Sequence, residues 1–367
     1  MSLAQRFIHL ALIGVAGLGL TACERQGGTP GGEGSTGTEA TGTASATDSG
    51  EEIVIGVAAP FTGNSAAFGS QIRKGVELAV ERLNDEGGIN GRKVLLQMED
   101  DTGTPTDASN VATTLASNDR VLAVVGHFNS ACSNAGKPIY TQAEMVMFSP
   151  ASTAVNVTQN SDYVYRNIFT DQFQGQSLAD YAGKILGFKK VAILYDNDDY
   201  GIGLKDSFSE RAKELGVEIV SANPYNRDSV DYRSQLTSLQ GALPDAILIA
   251  GLYAQAATIA KQARELGLTI PLMGGDGVFS DEYIRLAGDA AEGTYVSTPF
   301  LFELGGERAK KFSEDFKAKF NTEPDAWAAL SYDALNILAT ALKEKGISRE
   351  AVRESLKTVN SPATAYD

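Results

Sequence analysis

Short apolar runs alternate with longer amphipathic segments along the chain after residue 50. The run Ile53–Pro60 is apolar almost throughout and ends at a proline, which is typical of a strand buried on both faces of a sheet. The next apolar residues share one face of a predicted helix: Ile72, Val76, Ala79, Val80 and Leu83. Gly87 and Gly88 predict the end of that helix.

The same alternation continues and then starts again near residue 190. The first series predicts further strands at Val94–Glu99, Val121–Gly126, Val146–Ser149 and Tyr163–Phe169, the last of them a crossing strand, and helices at Pro105–Ser117 and up to about Gln142. The second series predicts strands at Val191–Asp196, Glu218–Tyr225, Ala246–Leu252, Leu272–Gly275 and Gly293–Phe300. Its helices are expected at about 201–215, 231–240 and 254–266, with a mostly helical segment after Gly306 to about residue 359.

Strands that are separated by helices of this length form right-handed βαβ units and parallel sheets. The roughly 317 residues after residue 50 exceed the size at which a single core usually stops growing. The sequence therefore predicts an α/β protein with two similar lobes.

The first residues resemble an export signal. Arg6 precedes an apolar run from Phe7 to Leu20, which at about 14 residues is too short to span a membrane. Leu20-Thr21-Ala22-Cys23 then resembles a bacterial lipobox, in which the cysteine is lipidated, although a plain signal peptide with a chance cysteine is the alternative. Residues 24–50 are mostly Gly, Ser and Thr and predict a flexible tether. We therefore expect a signal peptide at 1–22, a lipidated Cys23 with its tether at 23–50, and a body anchored to the membrane outside the cytoplasm.

Composition excludes several classes of function. A net charge of −15 and a pI near 4.7 leave no basic stripe for nucleic acid. Two cysteines, with Cys23 assigned to lipid, allow no intrachain disulfide, and we expect Cys132 to be a buried, inert thiol. One of the two histidines lies in the predicted signal, so only His127 remains for a metal site or a catalytic triad. We predict no metal and no cofactor.

Two motifs suggest chemistry but do not fit their context. Asp101-Thr102-Gly103 matches the aspartic-protease triplet, yet its possible partner, Asp48-Ser49-Gly50, falls in the predicted tether. Asp196-Asn197-Asp198-Asp199-Tyr200-Gly201 resembles a calcium loop, but Tyr200 and Ser207 stand where calcium ligands are needed. A strand-to-helix turn with solvated acids is the favoured interpretation. No Walker loop, nucleophile elbow or G-x-G-x-x-G opens a helix after a strand, so we do not expect an enzyme.

Polar residues do follow the predicted strands at their carboxyl ends, where open α/β sheets bind ligands. Phe128-Asn129-Ser130 and Ser149–Thr153 each follow a strand of the first series and could offer hydroxyl and helix-start N–H groups to an anion. Tyr200 and Asp276 follow strands of the second series, and Asp276 could pair with a cation. Together these groups would suit an α-amino acid, although Ser130, Ser152 and Thr153 could also be simple helix caps.

The ordered series of residues resembles the type I periplasmic binding proteins, specifically the leucine/isoleucine/valine-binding branch of ABC transport, over nearly all of 52–358. In the first half the matching pieces are Pro60-Phe61-Thr62-Gly63, Gly69, Gly75, Leu83-Asn84-Asp85-Glu86-Gly87-Gly88-Ile89-Asn90-Gly91, Asp100-Asp101, Val125-Gly126-His127, Ser149-Pro150-Ala151, Asp171 and Gln174-Gly175. In the second half they are Tyr200-Gly201, Asp231, Lys261-Gln262-Ala263, Leu266-Gly267 and Tyr332-Asp333-Ala334.

The resemblance implies two Rossmann-like lobes with parallel sheets, joined by a hinge that closes around a ligand. Lobe 1 would comprise 51–171 plus 301–358, and lobe 2 would comprise 172–300. Members of the family continue past the last helix with a segment that returns to the second lobe, whereas this chain stops at Ala365-Tyr366-Asp367. Either the sequence is a fragment or the third hinge crossing of the family is missing, and we expect 359–367 to be a truncated C-terminal end.

The resemblance also implies roles for individual residues. Ser130 and Thr153 would bind the carboxylate of the ligand, with the backbone near Phe128 and Ala151 contributing, and Ser152 belongs to the same loop. Asp276 would bind the ammonium, at a position where leucine-binding members often carry glutamate. The side-chain pocket would be lined by Tyr200 and Trp327, with Leu252 standing where some members place a tyrosine.

These observations predict a monomeric, lipid-anchored solute-binding protein without catalytic activity. It would present a small amino acid of the branched-chain type to the permease of an ABC importer. The first alternative is a sensor or receptor module of the same fold that binds an amide or urea. An exported hydrolase is the second alternative.

Overall fold

The two apolar series form two parallel five-stranded sheets in a computed structural model that describes residues 52–358. The predicted signal peptide, Cys23, the tether up to residue 50 and the end at 359–367 lie outside the described residues. The first sheet contains β1 Ile53–Ala59, β2 Val94–Asp100, β3 Val121–Gly126, β4 Val146–Ser149 and β5 Val164–Arg166. The second contains β6 Lys190–Asp196, β7 Glu218–Tyr225, β8 Ala246–Ala250, β9 Leu272–Gly274 and β10 Thr294–Val296. The strand orders are β2-β1-β3-β4-β5 and β7-β6-β8-β9-β10, so the second sheet repeats the topology of the first.

Helices connect and cover these strands. In chain order they are α1 Ala66–Asp85, α2 Pro105–Ala116, α3 Ser130–Gln142, α4 Asp171–Asp180, α5 Asp199–Glu214, α6 Arg233–Leu239, α7 Tyr253–Glu265, α8 Asp281–Ala287, α9 Glu307–Phe320, α10 Ala326–Lys345 and α11 Arg349–Leu356. The sequence pattern did not predict α4. Its buried face includes the polar side chains Asp171 and Gln174, so the apolar repeat that signals a helix is interrupted there.

Both faces of the first sheet are buried, which explains the uninterrupted apolar run of β1. Successive side chains of a strand point to opposite faces. Ile55 and Val57 belong to the core that includes α1, whereas Val54 and Ala58 pack in the core that includes Leu115 of α2. Helices on the two sides of the sheet therefore exclude water from β1 entirely, and the predicted α/β fold with parallel sheets is confirmed.

Within the described residues, the chain leaves the first sheet after β5 and returns to it after β10. Segment Tyr163–Phe169 was predicted as a crossing strand; its strand is only β5, which pairs with β4 at the edge of the sheet, and the crossing follows it. After the return, α9 and α10 pack on α1, and α11 contacts β3 and β4. None of the helices described between residues 52 and 358 is both long and apolar enough to cross a bilayer.

The last described helix is tied to the first sheet through one side chain. The guanidinium of Arg349 donates to the carbonyl oxygens of Val121 (3.0 Å) and Asn118 (2.9 Å), and to those of Ala116 and Ala143 (both 3.2 Å). One guanidinium thereby serves four carbonyl oxygens. They lie at the amino ends of the strands of the first sheet.

Candidate ligand-binding site

A cavity lies where the carboxyl ends of strands from both sheets face each other. It encloses about 250 Å³ when counted up to its open mouth. Its wall is formed by Phe128, Asn129, Ser130, Ala151, Thr153, Tyr200, Leu252, Asp276, Gly277 and Trp327. Eight of the nine residues selected from the sequence are in this wall, and Ser152 is not. Sequence reasoning missed Asn129 and Gly277, although each is the neighbour of a selected residue.

The loop after β3 forms one side of the wall. Ser130 begins α3 and is buried, and its hydroxyl oxygen accepts the N–H of Ala154 at 3.1 Å. The first N–H groups of a helix have no partner within the helix, so this position offers donors to an anion. The N-cap of α3 is Asn129, so Ser130 is not the helix cap that was left open as an alternative.

The loop after β4 forms the adjoining side. Ser149 Oγ accepts the N–H groups of Ala151 (3.2 Å) and Ser152 (2.8 Å), which makes a tight turn. The turn leaves Ala151 and Thr153 in the wall and directs Ser152 away from it. Ser152 Oγ lies 2.9 Å from the carbonyl oxygen of Phe128, so its hydroxyl joins the two loops.

A buried carboxylate, Asp276, stands in the wall on the side of the second sheet. It follows β9 and is 2% exposed. Its Oδ1 accepts the hydroxyl hydrogen of Tyr200 at 2.7 Å and the N–H of Gly277 at 3.0 Å. Burial raises the pKa of Asp276, and these hydrogen bonds oppose the shift. Within residues 52–358 no Lys or Arg forms an ion pair with this carboxylate, so the site can accept a cationic group.

The remaining wall is aromatic and aliphatic. Trp327 packs edge-on against Phe128, with ring centroids 5.1 Å apart, and Phe128 stacks on Phe68 at 4.4 Å. Leu252 is buried just before α7. The indole Nε1 of Trp327 is buried without a hydrogen-bond partner among the described residues. This part of the cavity favours an apolar group.

The position of Trp327 depends on the start of α10. Asp325 is the N-cap of this helix, and its Oδ1 accepts the N–H groups of Trp327 at 2.9 Å and Ala328 at 3.0 Å. Burial raises the pKa of Asp325 to about 7. The cap therefore fixes the first turn of α10, from which Trp327 reaches the cavity.

Two contacts outside the cavity wall join the side of the first sheet to the side of the second. Arg227 follows β7, pairs with Asp196 at 2.8 Å and with Asp198, and donates to the carbonyl oxygen of Gly103 after β2 at 3.1 Å. The expectation of solvated acids in the calcium-like segment is therefore wrong for Asp196 and Asp198, because both form ion pairs with Arg227 and are largely buried. The second contact joins Asn156 Nδ2 and Asp199 Oδ1 at 3.0 Å.

The geometry defines a class of protein: a binding protein whose ligand lies between two α/β halves. Donors for an anion, a buried carboxylate for a cation and an apolar wall converge on one small cavity. No group of three or more His, Cys, Asp or Glu side chains within residues 52–358 is arranged to hold a metal ion. Cys132 is buried in α3, and burial raises the pKa of its thiol, as expected for a thiol of low reactivity.

Comparison with known proteins gives the family. The profile described as "Periplasmic binding protein" matches residues 52–365. An amino acid binding protein of Pseudomonas aeruginosa is 34% identical over 306 residues, covering 82% of this chain and 80% of that protein. The crystal structure of the leucine-binding protein LivK of Thermotoga maritima has a TM-score of 0.81 at 34% identity, covering 86% of this chain and 90% of that one. The branched-chain amino acid transporter substrate-binding protein LivJ of Streptococcus pneumoniae, solved with isoleucine, has a TM-score of 0.80 at 32% identity, with coverages of 86% and 91%.

The chain therefore belongs to the periplasmic binding protein family, in the type I, branched-chain amino acid branch. Membership makes it a substrate-binding protein rather than an enzyme and implies an extracytoplasmic location. The predicted resemblance is thereby confirmed.

Proposed function

We propose that the protein is the substrate-binding component of an ABC importer and binds a small amino acid of the branched-chain type in the cavity. The observation that carries this proposal is the buried carboxylate of Asp276, which faces the cavity without an ion pair among the described residues. A buried carboxylate is costly unless a cation neutralises it. The ammonium group of an amino acid supplies that cation.

The ligand is expected to lie with its carboxylate toward the first sheet. Ser130 and Thr153 would donate their hydroxyl hydrogens to it, with the backbone at Phe128 and Ala151 contributing. Its ammonium would pair with Asp276, which Tyr200 holds in place. The apolar wall at Leu252 and Trp327 would receive the side chain.

Binding is proposed to close two lobes by a hinge motion. The contacts of Arg227 with Gly103 and of Asn156 with Asp199 support closure, because each joins a loop of the first sheet to a loop of the second. The lobe boundaries, 51–171 with 301–358 and 172–300, remain predictions. A monomer that is lipidated at Cys23 and delivers its ligand to a membrane permease is the arrangement that the N-terminal sequence supports.

Calorimetric titration of the full chain, after unfolding and refolding to remove carried-over ligand, tests the proposal. The panel is the twenty amino acids, urea and short amides. Saturable binding of leucine, isoleucine or valine is the expected result. Saturable binding of an amide or urea alone would favour a sensor module of the same fold. If the folded chain binds none of these compounds, the proposal of an amino acid ligand is rejected.

A further inference from the structure

His127 lies among three loops that follow β2, β3 and β4 of the first sheet. It is fully buried just beyond β3. Its Nδ1 is 2.7 Å from Oδ2 of Asp101, which follows β2, and its Nε2 is 3.1 Å from the hydroxyl of Tyr140 on α3. Its carbonyl oxygen accepts the hydroxyl hydrogen of Ser149, the last residue of β4, at 2.7 Å. One residue thus contacts the segment that follows β2 and the end of β4, which lie on opposite sides of β3 in the sheet.

The chemistry of the partners assigns the protons of the imidazole. A carboxylate only accepts, so Nδ1 carries the hydrogen and donates it to Asp101. In the neutral ring Nε2 then accepts the hydrogen of Tyr140. Both ring nitrogens therefore form hydrogen bonds within the protein, as buried polar groups usually do. Neither nitrogen remains available to bind a ligand.

The neighbours and contacts of His127 include residues that form or shape the wall of the proposed site. Phe128, Asn129 and Ser130 follow it directly in the chain and belong to the cavity wall. Ser149, which donates to the His127 carbonyl, also accepts the N–H of Ser152 and so shapes the turn that contains Ala151 and Thr153.

Through Asp101 the ring is also connected to a contact with the side of the second sheet. Asp101 accepts the N–H of Gly103 at its other oxygen, Oδ1, at 3.0 Å. The carbonyl of Gly103 in turn receives Arg227 from the side of the second sheet. The imidazole of His127 therefore helps to hold the loop after β2, whose Gly103 contacts Arg227.

We propose that His127 is a positioning residue for ligand binding, which holds the loops after β2, β3 and β4 in the arrangement that the cavity needs. The proposal rests on the function proposed above, because it concerns the same cavity. Ordering a flexible loop during binding weakens the affinity, so a site whose loops are already ordered binds its ligand more tightly. If only a fraction of molecules holds the loops correctly, the apparent Kd rises by the inverse of that fraction. Loss of the hydrogen bond to the Asp101 carboxylate, which Tyr140→Phe would keep, corresponds to about a 10- to 100-fold rise.

The test compares four variants of the full chain. His127→Leu removes both ring hydrogen bonds, whereas His127→Asn keeps a donor near the Nδ1 position toward Asp101. Ser149→Ala removes the contact to the His127 carbonyl. Tyr140→Phe is the matched control, because it removes a hydroxyl from the same buried cluster but from a helix rather than a loop.

Two measurements are made on each variant. The first is the Kd for the amino acid that binds the unchanged chain. The second is amide hydrogen exchange of residues 128–130 and 150–153 without added ligand, which needs no knowledge of the ligand. His127→Leu should raise the Kd about 10- to 100-fold and speed exchange in both segments, whereas Tyr140→Phe should lower Tm and leave the Kd within about twofold. His127→Asn should recover part of the loss, and Ser149→Ala should speed exchange in 150–153.

The proposal is overturned if folded His127→Leu matches Tyr140→Phe in Kd and in the exchange of both segments. If His127→Leu does not fold, unchanged Kd and exchange in both His127→Asn and Ser149→Ala overturn it instead. Failure of the unchanged chain to bind any amino acid would reject the proposed function, while the exchange measurement would still decide whether His127 positions the loops.

Discussion

Replacement of Asp276 is the most direct test of the ligand proposed for this protein. The carboxylate is buried, and Tyr200 and Gly277 donate to one of its oxygens. In the proposed complex the ammonium of the ligand is its counter-ion. Asp276→Ala would leave that ammonium buried without a partner.

The expected magnitude follows from the burial. Breaking a buried ion pair by removing one partner costs about 3–5 kcal/mol, because the remaining charge is desolvated and unpaired. At about 1.4 kcal/mol per tenfold change, the Kd should rise between roughly 100-fold and several thousand-fold. Asp276→Asn keeps the shape and an acceptor for Tyr200 but loses the charge, so a smaller rise of about 10- to 100-fold is expected.

The same substitution should have the opposite effect on the unliganded fold. Burial raises the pKa of Asp276 above its ordinary value of 3.8, so the folded state binds this proton more tightly than the unfolded state does. The ionised carboxylate therefore destabilises the unliganded fold at a pH above its folded pKa, and this cost disappears below about pH 3.8. Asp276→Asn should raise the urea midpoint of unliganded protein at pH 8, and the gain should shrink toward pH 4.

Calorimetric titration and urea unfolding of the full chain measure both effects. Asp199→Asn is the matched control, because Asp199 contacts Asn156 on the side of the first sheet but is not part of the cavity wall. A Kd for Asp276→Ala within about threefold of the unchanged chain would refute the ion pair. A lower urea midpoint for Asp276→Asn at pH 8 would refute the reasoning about the unpaired buried charge.

Three further substitutions test other contacts. Ser130→Ala should weaken amino acid binding by about 1.5–3 kcal/mol, the value of a hydrogen bond to a charged group; an unchanged calorimetric Kd would exclude Ser130 from the carboxylate site. Arg227→Met should lower the free energy of unfolding in urea by about 3–5 kcal/mol, because Asp196 and Asp198 lose their counter-ion; an equal loss in Arg227→Lys, which keeps the charge, would contradict the pairing. Arg349→Met should cost about 2–4 kcal/mol of unfolding free energy by leaving carbonyls without a donor, with the Kd of the folded protein within about twofold; a large rise in Kd would contradict a purely structural role.

The strands that are buried on both faces were predicted accurately from the sequence. The bounds of β3 and β4 are the predicted ones, because turn residues or polar residues end their runs. Edge strands were predicted unevenly: β5 and β10 were overestimated and have three residues each, whereas β7 has its predicted bounds and β2 extends one residue further, to Asp100. The residue types of a segment do not show where its hydrogen bonding to a neighbouring strand ends.

The residues of the cavity wall could be predicted from their positions after the strands. The contacts that hold the surrounding loops in place could not be predicted. Ser130, Thr153, Tyr200 and Asp276 each follow a strand, and parallel strands bring their carboxyl ends to one edge. Partners that are distant in sequence leave no local pattern. Arg227 lies about thirty residues from the acids that it neutralises, so their charges looked solvated in the sequence.

The contact of Arg227 with Gly103 has a consequence for the effect of salt. The guanidinium forms ion pairs with Asp196 and Asp198 on the side of the second sheet, and the group that it contacts on the side of the first sheet is an uncharged carbonyl. Dissolved ions screen exposed charges strongly and a short contact between a donor and a neutral acceptor far less. Closure through this contact should therefore vary little with ionic strength, which suits a protein that works where the cell does not control the salt concentration.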